Sequence, residues 1–319
     1  MSSRNADSAS IEHTVVDPAL HSLHECHNAQ AFIERFEAAI HCSVRHIADP
    51  FIAATAPKAI FLVGSLPLGM GTSSSDVDLI VIVDSKADVL RSETHAANTE
   101  QRLEFSNEND PLTIGMFVTL MQGILVDLQV AVTPMIHNVQ SRLRRRGPDL
   151  SESEVRTLGR LSSGWLLWQT EGYLERSGVV LQDPALSVYC CTKNYVFALN
   201  DQRKAAKALD LGDIPLALQL GRLSVEMSYL AYFSSEGLPF LGAKWLAQIG
   251  YAHGAAERVH RHPLLREGVP LLFPAWNVTA AEAGQYLENV GEFLISMRRL
   301  IEQRMLFKIA FKACPQIAS

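Results

Sequence analysis

Two aspartates in the first third of the chain are spaced for joint chemistry. Asp76 and Asp78 stand at the start of an apolar run, 77–83, which predicts a buried β-strand. Because side chains alternate along a strand, residues two apart point to the same face, and we expect these carboxylates side by side. Neighbouring carboxylates repel each other unless a cation lies between them, and hard oxygen ligands of this kind suit Mg²⁺. The pair therefore predicts a metal site.

A glycine–serine pair precedes these aspartates. Gly64 and Ser65 end the apolar run 59–63, which predicts another buried strand, and a segment of small residues, 66–75, follows them. Glycine allows close backbone approach, and the free N–H groups of such a turn can hold phosphate oxygens. A phosphate-binding turn and a pair of metal-binding carboxylates are thus expected close together.

A third carboxylate completes a known pattern. Asp127 is the acidic residue of the otherwise apolar run 124–132. Gly64-Ser65, ten residues, Asp76-Val77-Asp78 and then Asp127 on a later strand resemble the signature of the DNA polymerase β-like nucleotidyltransferase superfamily. The resemblance implies that the three aspartates hold two Mg²⁺ ions and that Gly64 and Ser65 bind ATP or another nucleoside triphosphate. Taken singly, each aspartate would be an ordinary turn or strand-end residue.

The resemblance also implies a basic residue that neutralises the leaving pyrophosphate, supplied by a helical half that closes the cleft. Lys244 is the first candidate, since it precedes Trp245 after a glycine-containing turn and could act beside a stacking face. The structural alternative is a surface lysine beside a core tryptophan. Lys193 is the second candidate. A basic cluster ending at Arg146 is interpreted as a solvated helix end, with binding of phosphates or RNA as the alternative.

The pattern along the chain predicts an α+β architecture: a mixed β-sheet with flanking helices, followed by an all-α helical bundle. A helix over 28–47, ended by Asp49-Pro50, precedes the first strand. Predicted strands cover 59–63, 77–83, 113–120 and 124–132, the last two forming a hairpin through Gln122-Gly123, and a helix covers 136–146.

Helical periodicity dominates the second half. The predicted helical segments are 151–176, 183–209, 213–235, 241–250 and 278–312, and no further strand is predicted. A capping box at Ser151 and Glu154 follows Gly147-Pro148, which suggests a domain boundary. The expected division is a flexible N-terminal segment at 1–27, a catalytic domain at 28–148 and a helical domain at 149–319.

Composition limits the classes of binding partner that are expected. The chain has 319 residues, 48% of them hydrophobic, five cysteines without regular spacing and a net charge of −6. Neither a secretory signal nor an apolar run of the roughly 20 residues that span a bilayer is evident, so the sequence predicts a cytoplasmic protein with no membrane partner. The negative balance argues against a long nucleic acid partner. The acidic segment 91–110 suits a cationic small molecule.

These observations predict a Mg²⁺-dependent nucleotidyltransferase that transfers AMP from ATP to a hydroxyl of a small molecule. In plan, the chain resembles the bacterial small-molecule enzymes of the aminoglycoside-modifying type. The first alternative is a template-independent polymerase, or a synthase of oligonucleotide or cyclic nucleotide messengers. The second is a non-catalytic relative that binds a nucleotide or a protein partner.

Overall fold

The structure is a computed structural model, and it describes most of the chain with several gaps. The described residues are 29–39, 41–68, 75–85, 113–121, 123–145, 150–181, 183–238 and 263–313. The polar segment 91–110, the predicted helix 241–250 and the N-terminal segment 1–27 lie outside this part of the chain. The architecture is α+β, as predicted: a mixed sheet comes first, and mostly helices follow.

Five strands form one sheet. Their bounds are β1 Ala59–Val63, β2 Val77–Val83, β3 Thr113–Met121, β4 Ile124–Val132 and β5 Trp165–Gln169. The order across the sheet is β3-β4-β2-β1-β5, with β2 and β4 parallel and all other neighbours antiparallel. The four strands predicted from the sequence and the β3–β4 hairpin are confirmed.

Buried apolar side chains on both faces explain why the inner strands form. The odd-numbered positions of β2, such as Val77 and Leu79, pack on one face under the two N-terminal helices. Ile80 and Ile82 pack on the other face, under helices that come later in the chain. Strands covered on both faces appear as near-continuous apolar runs, which is the pattern that made these segments recognisable.

Two short helices replace the single N-terminal helix predicted over 28–47. Helix α1 spans Ala29–Ala39 and α2 spans Val44–Thr55. The break is a cap built by side chains: Glu37 Oε1 accepts hydrogen bonds from the Val44 N–H at 2.7 Å and from the Ser43 hydroxyl at 3.0 Å. Ser43 in turn accepts from the Arg45 N–H, as an N-cap residue does.

The prediction that Asp49-Pro50 ends the helix was also wrong. Helix α2 continues through this pair to Thr55. Proline removes one hydrogen-bond donor from a helix and disfavours the α conformation in the residue before it. Burial of Ile47 and Phe51, one turn apart in the same apolar cluster, offsets that cost because both contacts require the helix to continue.

The second half is mainly helical but contributes the edge strand β5. Its helices are α4 Glu152–Ser163, α5 Tyr173–Ser177, α6 Pro184–Asp210, α7 Ile214–Ser235, α8 Pro263–Gly268 and α9 Ala280–Ala313, with a 3-10 turn at Val269–Leu272; α3, Thr133–Leu143, precedes them. The expectation that 165–169 is helical was wrong. This segment pairs with β1, so the sheet includes chain from beyond the predicted boundary at 148.

Two arginines near the end of α3 link it to the helices that follow. Arg142 pairs with Glu154 of α4, and Arg144 pairs with Asp183, the N-cap residue of α6, at 3.2 Å. Both carboxylates are buried. The interpretation of this cluster as a solvated helix end is therefore incomplete: Arg144 is exposed, as expected, but both guanidinium groups also pair with buried carboxylates.

The helical half has its own apolar core, centred on Tyr229, Tyr232 and Phe233 of α7. Leu68, from the turn that follows β1, packs into the same cluster. This contact joins the glycine–serine turn to the helical half. Among the described helices, none combines the length and the hydropathy needed to cross a membrane.

Candidate active site at the end of the sheet

The register of the two parallel strands brings two of the predicted carboxylates together. In the β2–β4 pair, Asp78 lies directly opposite Asp127. Both residues point to the face covered by α3 and α4, since Ile80 and Ala131, at even spacing along the same strands, belong to the cluster on that face. The hairpin that carries β4 therefore sets Asp127 beside Asp78, which the sequence alone could not determine.

The glycine–serine turn lies against the same carboxylate. Val63, the last residue of β1, pairs with Asp78, so Gly64 begins its turn next to that side chain. A Cβ atom on Gly64 would stand 2.0 Å from Asp78 Oδ2, and the φ of Gly64 is +78°. Both the crowding and the backbone conformation require glycine. Ser65 is 7% exposed, and its carbonyl accepts the Leu68 N–H at 3.2 Å.

Asp76 lies at the solvent edge of this group. It precedes β2 by one residue and is exposed, whereas the Asp78 side chain is 14% exposed. Its charge nevertheless acts on Asp127, whose pKa it helps to raise. Within the described ranges, no three acidic, histidine or cysteine side chains are gathered closely enough to hold a metal ion as they stand. Asp78 and Asp127 are adjacent in the strand pair, and Asp76, two residues before Asp78, is the most exposed of the three.

The surroundings of Asp127 change the pKa of its carboxyl group. Burial raises its pKa above the usual value for an aspartate, and the negative charge of Asp76 raises it further. The nearby Arg160 guanidinium and a hydrogen bond with Asp78 act in the opposite direction without cancelling the effect. Its Oδ1 atom is buried and has no hydrogen-bond partner among the described residues. A buried polar atom without a partner is costly, which marks it as a candidate ligand-binding atom.

A basic residue that the sequence did not suggest lies at this site. Arg160, in the last turn of α4, places Nη2 at 3.5 Å from Asp78 Oδ1. One feature of the sequence could have indicated it: the apolar run 165–169 follows Gly164 and is compatible with a strand. Had this run been predicted to pair with β1, the end of α4, which carries Arg160, would have been expected beside β1. Because 151–176 was predicted to be one helix, the strand at 165–169 and the position of Arg160 were not predicted.

Of the two predicted lysines, Lys193 lies within the described residues, and no ion pair joins it to the carboxylates there. Lys193 lies on α6, where its Nζ stands 5.7 Å from the ring centre of Tyr189 on the same helix. Lys244 lies outside the described residues. A triphosphate contact by either lysine stays a prediction.

The chemistry of the site fits a hard divalent cation. All three candidate ligands are carboxylates, and one of them, Asp127, presents a buried oxygen with no partner among the described residues. The absence of a side chain at Gly64 leaves room against Asp78 Oδ2. Carboxylate oxygens are the ligands preferred by Mg²⁺, which is bound through one or two of them together with substrate phosphates.

Comparisons with known proteins add little to this geometry. No protein-family model matches the chain, and no curated protein matches it significantly. Among solved structures, the fold is similar to that of a nucleotidyltransferase-like protein from Exiguobacterium sibiricum, with 12% identity, a TM-score of 0.41 and coverage of 83% of this chain and 77% of that one. Similarity at this level is too loose to carry a function.

Proposed function

We propose that the chain is a divalent-cation-dependent nucleotidyltransferase that transfers a nucleoside monophosphate, AMP from ATP, to a hydroxyl of a small molecule and releases pyrophosphate. One observation carries the proposal: Asp78 and Asp127 are opposite each other in a parallel strand pair, and the backbone of Gly64 lies against Asp78. Adjacent carboxylates beside a glycine turn suit a nucleotide phosphate and its cation.

The three aspartates would hold different metal ions. Asp76 and Asp78 would hold the Mg²⁺ that accompanies the triphosphate, and Asp127 would share a second ion. The ions would supply charge neutralisation at the reacting phosphate, since phosphoryl transfer depends mainly on positioning and electrostatic stabilisation. Gly64 and Ser65 would bind phosphate oxygens through the turn that follows β1.

Asp127 is the residue suited to accept the proton of the acceptor hydroxyl. Burial and the charge of Asp76 raise its pKa, which makes its carboxylate a better base than an ordinary aspartate. The hydroxyl oxygen would attack the α-phosphorus of the nucleotide while its proton passes to Asp127. The bond from that phosphorus to the bridging oxygen would break, and pyrophosphate would leave with the bonding electrons.

The acceptor class rests on charge. The net charge of −6 disfavours a long polyanion and favours a neutral or cationic small molecule with a free hydroxyl. A polymerase or messenger synthase would use a nucleotide as its own acceptor, so the products formed from nucleotides alone distinguish the two classes.

The test is to measure pyrophosphate release and products. Wild-type protein is incubated with Mg²⁺ and each ribonucleoside triphosphate, alone and with a panel of hydroxyl-bearing acceptors, and products are identified by mass spectrometry. We expect Asp76→Ala and Asp78→Ala to abolish pyrophosphate release and to keep the fold. Asp84→Ala is the matched control, because Asp84 follows the other end of β2 and pairs with Lys58 at 2.9 Å.

The outcomes separate the functions. The proposal is supported if wild type and Asp84→Ala form an adenylylated acceptor and the Asp76 and Asp78 variants do not. Products made only of nucleotides would favour the synthase. Full activity in both the Asp76 and the Asp78 variants would refute the proposed function. Nucleotide binding that is independent of Mg²⁺ and gives no product would indicate the non-catalytic alternative.

A further inference from the structure

Helix α4 carries a polar stripe that faces the sheet and α3. Glu154, Thr157 and Arg160 follow one another at three-residue steps, so they lie on one side of the helix. Each contacts the part of the chain before residue 148: Glu154 pairs with Arg142, Thr157 bonds Gln129, and Arg160 pairs with Asp78. The stripe therefore runs from the end of α3 to the candidate active site.

The first two contacts fix the helix that presents Arg160. Gln129 of β4 donates to Thr157 Oγ1 at 2.6 Å, and both residues are buried. One turn after Arg160, Gly164 lies so close to β1 that an added Cβ would be 3.1 Å from the carbonyl oxygen of Leu62. The backbone on both sides of Arg160 is thus held against the sheet, and its side chain reaches the carboxylates from a fixed base.

The contact between Arg160 and Asp78 is an ion pair without a tight hydrogen bond. Its 3.5 Å separation exceeds the 2.7–3.2 Å typical of an N–H···O bond. The two side chains are 21% and 14% exposed, so their attraction is only partly screened by water. A guanidinium has five N–H donors, so a contact of 3.5 Å with Asp78 leaves donors of Arg160 able to bind other oxygens.

We propose, on the premise that the site transfers a nucleotidyl group, that Arg160 binds the phosphates of the triphosphate and neutralises Asp78 until a cation does so. Once a divalent cation occupies the carboxylates, Asp78 no longer needs the guanidinium. The planar fork of arginine matches phosphate oxygens, which arrive with that cation. Arg160 then has the role that the sequence suggested for Lys244 or Lys193.

This double role predicts effects of opposite sign. When Arg160 is removed, Mg²⁺ in the absence of nucleotide meets no competing positive charge at Asp78, so the affinity for Mg²⁺ rises about threefold. The nucleotide loses a charge-assisted contact to its phosphates, and its affinity falls about tenfold or more. A residue that merely held Asp78 in place would weaken both ligands together.

The experiment measures two affinities by calorimetry: Mg²⁺ alone, and α,β-methylene-ATP, which cannot react at the α-phosphorus, at saturating Mg²⁺. The variants are Arg160→Gln and Arg160→Lys. The control is Arg156→Gln, because Arg156 lies one turn earlier on α4 and pairs with Glu152 on the helix surface at 3.1 Å. Both affinities of the control are expected to equal those of wild type.

Tighter Mg²⁺ and weaker nucleotide binding in Arg160→Gln support the proposal. A parallel loss of both, or no change in either, overturns it. If Arg160→Gln does not fold, Arg160→Lys carries the comparison, because it keeps the charge beside Asp78: it should bind Mg²⁺ as wild type does and the nucleotide several-fold more weakly, and wild-type nucleotide affinity would overturn the proposal. Wild-type protein that binds neither ligand refutes the proposed function itself.

Discussion

Two carboxyl groups, one buried and one half-buried, lie between the sheet and the helices that cover it, and their surroundings differ sharply. Glu154, on α4, is 2% exposed, and both of its oxygens are bonded, one to Arg142 and one to the Ser151 N–H at 2.7 Å. Asp127, on β4, has a buried oxygen without a partner in the described part of the chain, and two further aspartates lie close by.

The difference separates a group that stabilises the fold from one that costs stability. Ionised Glu154 is compensated by a cation and by the capping box at the start of α4, so it holds α4 to α3. Asp127 is compensated only in part, and burial and repulsion raise its pKa. A fold retains such a group when a ligand supplies what the protein does not.

The largest change in stability is expected when the contacts of Glu154 with Arg142 and Ser151 are removed. Glu154→Ala removes the partner of Arg142 and half of the capping box with Ser151. We expect the free energy of unfolding to fall by about 3 kcal/mol, less than for a fully buried pair because the arginine can regain some water. Urea unfolding followed by circular dichroism measures this.

Glu152→Ala is the matched control for that variant. Glu152 begins the same helix and pairs with Arg156 in an exposed contact, for which a change of about 0.5 kcal/mol or less is expected. Equal losses in the two variants would show that Glu154 does not hold α4 to the rest of the fold.

A smaller effect is expected from crowding the candidate active site. Gly64→Ala would place a Cβ atom 2.0 Å from Asp78 Oδ2 in a residue with a φ of +78°. We expect a loss of about 2 kcal/mol in unfolding free energy, together with loss of Mg²⁺-dependent nucleotide binding, because the carboxylate must move away.

Gly123→Ala separates backbone strain from crowding. Its φ is +80°, almost that of Gly64, yet an added Cβ would meet no atom of the described structure within 4 Å. This variant should lose about 1 kcal/mol for the left-handed conformation alone and should bind nucleotide as wild type does. If both alanine variants kept nucleotide binding, the close approach of Gly64 to Asp78 would have no functional role.

The sequence predicted the carboxylates better than their arrangement. Asp78 and Asp127 interrupt apolar runs that are buried on both faces, and a charge in such a run is visible without a structure. Their adjacency depends on the register of two strands that lie about forty residues apart in the chain, which no local pattern encodes.

Arg160 was missed for a related reason. The apolar run Trp165–Gln169 is compatible with either a helix or a strand, and only its pairing with β1 decides between them. The early end of α1 was missed because its cap joins Glu37 to Val44 across seven residues of sequence. Long-range pairing and side-chain caps, unlike burial patterns, are properties of the folded chain.

The smallest effect, and the one of opposite sign, is expected at Asp127. Asp127→Asn should raise the free energy of unfolding by about 1 kcal/mol at neutral pH in EDTA, because a neutral amide replaces a half-buried carboxylate that Asp76 repels. A raised pKa makes ionisation costly in the folded state, so the gain should shrink as the pH falls through that pKa and should vanish below the unfolded value of about 3.9.

Asp84→Asn, which weakens the exposed pair with Lys58, should instead be neutral or slightly destabilising at the same pH. Urea unfolding at pH 7 and at pH 3 compares both variants with wild type. A loss of stability in Asp127→Asn would mean that the folded chain already compensates this carboxylate. The contrast with Glu154 would then disappear, and with it the reason to regard Asp127 as a group kept for a ligand.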